Sequence, residues 1–123
     1  MKKLLLIAIL FLQPLSAISE SLSDSVLPLC SNDPSKIFHN CYGTSILNNK
    51  DGEVSSRYTG EWKNNKQHGY GTDIYENGSK FIGKYRNGKK HGKGSFYYSS
   101  GNKYIGEYRD DKKHGNGTFT WTH

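Results

Sequence analysis

Apart from one run near its start, this sequence has no long hydrophobic stretch, and beyond that run it is poor in leucine and valine. A chain of 123 residues with that composition cannot fill a thick two-layer core, because small chains bury a low fraction of their surface. Helical periodicity is absent throughout, which argues against a helix bundle. Cysteine is nearly absent as well. Cys30 and Cys41 are the only two, too few to fill a tetrahedral zinc shell and not spaced as Cys-x-x-Cys. No Ser-His-Asp arrangement, no carboxylate pair outside turns and no phosphate-cradling loop stands out. The expectation is a non-enzymatic chain with no cofactor and no metal.

The hydrophobic run itself reads as an export signal. Lys2 and Lys3 form a positive start, residues 4–12 (LLLIAILFL) are apolar, Pro14 breaks the run, and Ser16, Ala17 and Ser19 are small. That order is the pattern of a secretory signal peptide over residues 1–19, cut after Ala17 or after Ser19. The run is about half of the ~20 residues a membrane-spanning helix needs. Localisation is therefore expected to be periplasmic or extracellular. In such a compartment Cys30 and Cys41 read as one disulfide, which would add about 3 kcal/mol by restricting the unfolded chain.

Removing Lys2 and Lys3 lowers the formal charge from +6 to +4. What remains is unevenly placed. Residues 20–56 carry Glu20, Asp24, Asp33, Asp51 and Glu53 against Lys36 and Lys50, whereas the rest holds 13 basic and 6 acidic residues. The basic body favours anionic partners.

What the sequence does have is an internal repeat. Three segments align without gaps at a period of 23 residues. Tyr58-Thr59-Gly60-Glu61-Trp62, Phe81-Ile82-Gly83-Lys84-Tyr85 and Tyr104-Ile105-Gly106-Glu107-Tyr108 open them. Lys66-Gln67-His68-Gly69-Tyr70-Gly71, Lys89-Lys90-His91-Gly92-Lys93-Gly94 and Lys112-Lys113-His114-Gly115-Asn116-Gly117 follow, and Gly78 and Gly101 close the first two. Aromatic, glycine, aromatic at every second position places those residues on one face of a strand. Asn64-Asn65, Asn87-Gly88 and Asp110-Asp111 suit the positive φ of a two-residue type I′ turn, so each unit reads as a β-hairpin. A glycine between two aromatics on one face leaves room for rings to lie over bare backbone, and aromatic ladders would stand in for a core. The other face, with Thr59, Glu61, Lys63, Ile82, Lys84, Arg86, Ile105, Glu107 and Arg109, reads as polar, basic and solvated.

The Tyr-x-Gly-x-Trp/Tyr and Lys-x-His-Gly-x-Gly pattern at this period resembles the MORN repeat. It covers residues 58–123 as units 58–80, 81–103 and 104–123. Residues 20–57 then form an N-terminal cap with a degenerate unit, in which Tyr42-Gly43-Thr44 aligns with Tyr70-Gly71-Thr72 and Gly52 with Gly78. Five extra residues between Gly43 and Gly60 are expected to be a loop insertion. The resemblance implies an all-β fold, an elongated single-layer antiparallel sheet of tandem hairpins, with the cysteine-containing lead-in capping the first repeat. It also implies an interaction or self-association scaffold, with lipid binding as an alternative.

His68, His91 and His114 are a candidate constellation, but units two strands apart set them about 10 Å from one another at ~4.8 Å per strand. Zinc ligands lie ~2.0–2.1 Å from the ion, so these histidines do not share one. They read as architecture, and secondarily as a pH-responsive surface. Gly-x-Gly recurs in every unit, which marks it as architecture rather than a nucleotide site. Lys84, Arg86, Lys89, Lys90, Lys93, Arg109, Lys112 and Lys113 are the candidates for an anionic lipid or envelope surface, with a simply solvated face as the competing reading. Stacking on single-stranded nucleic acid is disfavoured, because the aromatics are needed for the ladder and export removes the partner. The other partner expected is a protein or a second copy, paired along an exposed edge strand near the C-terminus.

Overall fold

A computed structural model of the chain describes residues 27–122. The expected signal peptide over 1–19 and the acidic residues Glu20 and Asp24 lie outside the described residues. The seven strands are β1 (Cys41–Asn48), β2 (Val54–Lys63), β3 (Lys66–Tyr75), β4 (Lys80–Arg86), β5 (Lys89–Tyr97), β6 (Lys103–Arg109) and β7 (Lys112–Thr120). They form one antiparallel sheet in sequence order, and no helix occurs among the described residues. The all-β, single-layer arrangement of tandem hairpins is as the repeat predicts.

The turns explain the regularity. Asn64, Asn65, Asn87, Asp110 and Asp111 have φ between 48° and 70°, and Gly88 has φ 80°. Both central residues of each two-residue turn are thus left-handed, which is the type I′ geometry whose twist matches the strands. These turns fix the pairs Lys63–Lys66, Arg86–Lys89 and Arg109–Lys112. Between units the chain turns differently: the N–H of Gly78 donates to the Tyr75 carbonyl at 2.9 Å and that of Gly101 to Tyr98 at 2.9 Å.

The degenerate unit closes in the same way, with the Gly52 N–H on the Asn49 carbonyl at 3.0 Å. Its five extra residues are therefore not a loop insertion, and that expectation is corrected. They lengthen the arms of the hairpin instead: β1 continues past Ser45–Tyr58 through Ile46–Arg57 and Leu47–Ser56, then slips by one residue to Asn48–Val54. The turn chemistry is conserved between units because it is local, whereas arm length is free to vary.

The N-terminal edge is covered. Leu29 bridges Tyr42 in parallel, the Cys30 N–H donates to the Tyr42 carbonyl and the Tyr42 N–H to the Pro28 carbonyl, both at 2.8 Å. Cys30 and Cys41 are bonded as a disulfide, and the Cys30 side chain lies over Gly43. The segment then reaches the β2–β3 turn, where the Asn65 N–H donates to the Phe38 carbonyl at 2.7 Å. In later units the same turn position binds back to the preceding repeat, Gly88 to Gln67 at 2.9 Å and Asp111 to Lys90 at 3.0 Å. Phe38 thus takes the place of a preceding repeat that the cap does not otherwise reproduce. Strand β7, by contrast, pairs only with β6 among the described residues.

Candidate functional site

The strand registers line the glycines up into one row. Gly43, Gly60, Gly71, Gly83, Gly94, Gly106 and Gly117 are consecutive cross-strand partners through all seven strands. Rings cross this row. Tyr58 lies over Gly60 and Gly71, Phe81 over Gly83 and Gly94, and Tyr104 over Gly106 and Gly117. A methyl group at Gly60 would stand 2.5 Å from the Gly71 Cα, and one at Gly83 would stand 2.6 Å from the Gly94 Cα. The row admits no side chain.

On either side of it the aromatics close a thin core. Phe38, Trp62, Tyr58, Tyr85, Phe81, Tyr108 and Tyr104 form an unbroken zigzag in which neighbouring centroids are 5.0–5.4 Å apart and ring planes meet at 80–89°. Edge-to-face contact of this kind adds about 0.5–1.5 kcal/mol per pair beyond area burial. Tyr58 and Phe81 are fully buried, at 0% exposure. A second row, Tyr75, Phe96, Tyr98, Phe119 and Trp121, runs beside it. Burial raises the Tyr58, Tyr75, Tyr85 and Tyr108 hydroxyls above the usual phenol value. The hydroxyls have structural partners: Tyr58 donates to the Glu61 carbonyl at 3.0 Å, Tyr104 to that of Glu107 at 3.1 Å, and Tyr85 to buried Asp73 at 3.2 Å.

Two of the candidate anion-binding lysines belong to this face and not to the other. Lys90 pairs with Tyr85 and Lys113 with Tyr108. The Lys90 ammonium sits 5.3 Å from the Tyr75 and Phe81 ring centres and 5.6 Å from Phe96. That of Lys113 sits 5.4, 4.9 and 5.2 Å from Tyr98, Tyr104 and Phe119. Cation–π attraction holds both over the rings, and burial pulls the Lys90 amine below the usual lysine value, opposed by Asp111 and Asp73. As members of one basic face with the other candidates, Lys90 and Lys113 are therefore corrected, although Lys113 stays exposed on the aromatic side. Counting back from the two-residue turn would have found this, since it sets Lys90 opposite Tyr85.

The other face carries the remaining candidates. Lys84, Arg86, Lys89, Lys93, Arg109 and Lys112 all project there, from the register of Tyr70–Lys84, Arg86–Lys89, Lys93–Glu107 and Arg109–Lys112. It is not simply polar and solvated. One row across the sheet reads Thr44, Thr59, Thr72, Ile82, Ser95, Ile105, Thr118, and the next carries Ile46, Ile74 and Tyr97. Tyr70, Ile74, Ile82 and Ile105 are exposed large hydrophobics. An open hollow of about 550 Å³ lies among Tyr70, Ile82, Ile105 and Lys93. The sequence pattern shows Ile82 and Ile105 on this face, but the alignment of the isoleucines across strands depends on register.

His68, His91 and His114 precede Gly69, Gly92 and Gly115 in β3, β5 and β7, where the hairpin registers slip. The Nδ1 atoms of His68 and His91 are buried without a hydrogen-bond partner, and that of His91 stands 3.7 Å from an Asp110 oxygen. No group of three metal-ligating side chains occurs among the described residues.

A search of curated proteins finds no match. A family model described as the MORN repeat matches residues 58–80, 81–103 and 104–122. MORN repeats generally take part in protein or membrane-lipid interactions, and with more than half of its length matched in three consecutive copies, the chain belongs to the MORN-repeat family.

Proposed function

We propose that the protein is an exported scaffold that binds an acidic protein partner on the face opposite the aromatics. The observation that carries this reading is the band of exposed Tyr70, Ile74, Ile82 and Ile105 among Lys80, Lys84, Lys93 and Lys103, which share that face. Apolar patches rimmed by charge mark interaction sites, and the rim here is mainly basic, with Glu107 beside Lys93. On the aromatic face the rings contact one another, and Trp121, at the β7 end of the second row, is the largely exposed one. Export is supported by the pattern of residues 1–19, and N-terminal sequencing of the protein from culture would check the cut. Residues 20–123 and an Ile82→Ser/Ile105→Ser variant, used as paired baits on the envelope fraction, should differ in one captured protein. Identical capture by the two would remove the reading.

A second reading is peripheral binding to anionic lipid through the same basic residues. It predicts vesicle binding that requires phosphatidylglycerol and weakens steeply with salt. Self-association along β7 is the third branch; sedimentation showing only monomer at high concentration would remove it.

A further inference from the structure

The middle repeat departs from its neighbours in charge at the position after the central glycine on the interaction face. In the flanking repeats a glutamate follows the central glycine of the outgoing strand and accepts a backbone N–H from the return strand. Glu61 accepts from Tyr70 at 2.6 Å and Glu107 from Asn116 at 2.9 Å. The middle repeat has Lys84 instead. Its stem lies against Gly92, as the glutamates lie against Gly69 and Gly115. A lysine has no acceptor, however, and its ammonium reaches over the Tyr70 ring, 5.2 Å from the centroid. The backbone N–H of Lys93, equivalent to those of Tyr70 and Asn116, therefore lacks the carboxylate that its counterparts face.

The Lys93 ammonium is also uncommitted. Its cross-strand neighbour Glu107 directs Oε2 to Asn116, and the one ion pair among the described residues joins His91 to Asp110. Lys93 lines the hollow bounded by Ile82 and Ile105. The Lys93 ammonium and backbone N–H thus stand beside a trough that Glu107 and Asn116 also line, with the Lys84 ammonium over the Tyr70 ring at its edge, in a frame that elsewhere seats a glutamate side chain.

We propose that this seat receives a carboxylate side chain from an acidic peptide segment of a protein partner, replacing from outside what Glu61 and Glu107 supply from within. The Lys93 N–H and the ammonium groups of Lys84 and Lys93 hold the carboxylate, and aliphatic neighbours on the segment lie in the hollow. A peptide fits better than a lipid headgroup because the seat is shaped for a carboxylate on a short stem and its walls are isoleucine and tyrosine. The proposal rests on the protein-interaction reading and names the chemistry of its partner.

Titrating the isotope-labelled protein with a short capped peptide of alternating leucine and glutamate, followed by amide NMR, tests it. The Lys93 amide should move downfield saturably, towards the position of the Tyr70 and Asn116 amides. The glutamine counterpart of the peptide should bind about tenfold more weakly. Lys84→Glu should remain folded, since it restores the flanking frame, and should shift the Lys93 amide downfield without ligand while abolishing the response. Lys93→Gln, which keeps the N–H, should weaken binding by a smaller factor.

Equal affinity for the two peptides, or undiminished binding to Lys84→Glu, overturns the proposal. A response confined to β7 overturns the seat but leaves the protein-interaction reading standing. A Lys93 response to phosphatidylglycerol vesicles but not to the peptide overturns it in favour of a headgroup phosphate. No response to either overturns it too, whereas failure of the broader reading appears separately, as unchanged capture by the Ile82→Ser/Ile105→Ser bait.

Discussion

The two faces of this sheet use the same strands and the same alternation, yet one is closed and the other open. On the aromatic face, glycine removes every side chain from one row so that rings can occupy the vacated space and touch one another edge to face. On the opposite face the same strands carry threonine, isoleucine and lysine, which make scattered pairwise contacts and leave apolar surface in contact with water. A single-layer sheet folds only if one of its faces can serve as its own second layer. Here that requires an intact ring zigzag, and the other face is left with local hydrogen bonds such as those of Glu61 and Glu107.

Four changes would break or sharpen that contrast. Phe81→Ala removes a ring that touches Tyr85, Phe96 and Tyr108, and should cost about 3–5 kcal/mol in denaturant unfolding. Gly94→Ala places a methyl 2.5 Å from the Phe81 Cε2 and should cost about 1–3 kcal/mol by overpacking.

Raising the pH separates the faces without mutation. Tyr58, Tyr75, Tyr85 and Tyr108 have folded values above 10.0, mainly from burial. Their contribution is fully present below pH 10 and is lost as the pH rises above it. Lys90 acts with opposite sign, since its folded value is depressed below 10.5, so stability should rise with pH up to 10.5 on its account. Thermal melts across this range, read beside tyrosinate absorbance, should show a loss above pH 10 that coincides with phenol ionisation. A Lys90→Met variant should lack the rising limb. Smallest of all, Ile82→Ser with Ile105→Ser should alter stability by less than about 1 kcal/mol, as for exposed sites, while changing partner capture. A large loss of stability in that variant would refute the division of labour.

The hairpins, their turns and the shared face of the aromatics were legible in the sequence because each is local: a period of two along a strand and a pair of left-handed turn residues. The seat of Lys90 and Lys113 was legible in principle, by counting from Asn87-Gly88 and Asp110-Asp111, but a run of basic residues looks like solvated surface until register is imposed. The lengthened arms of β1 and β2 were not legible, since an insertion of the same length fits a loop or a pair of strands equally well. Nor was the role of Phe38, which depends on a carbonyl 27 positions from its partner Asn65. The exchange of Glu61 and Glu107 for Lys84 was visible as letters, and only the hydrogen bonds to Tyr70 and Asn116 gave it meaning.

The covered N-terminal edge has a geometric consequence. With Phe38 standing in for a preceding repeat at that end and the glycine row still in register at β7, the described sheet has one covered edge and one open edge. Each further hairpin of the same pattern would lengthen it by about 10 Å, so the span of the sheet is set by copy number alone.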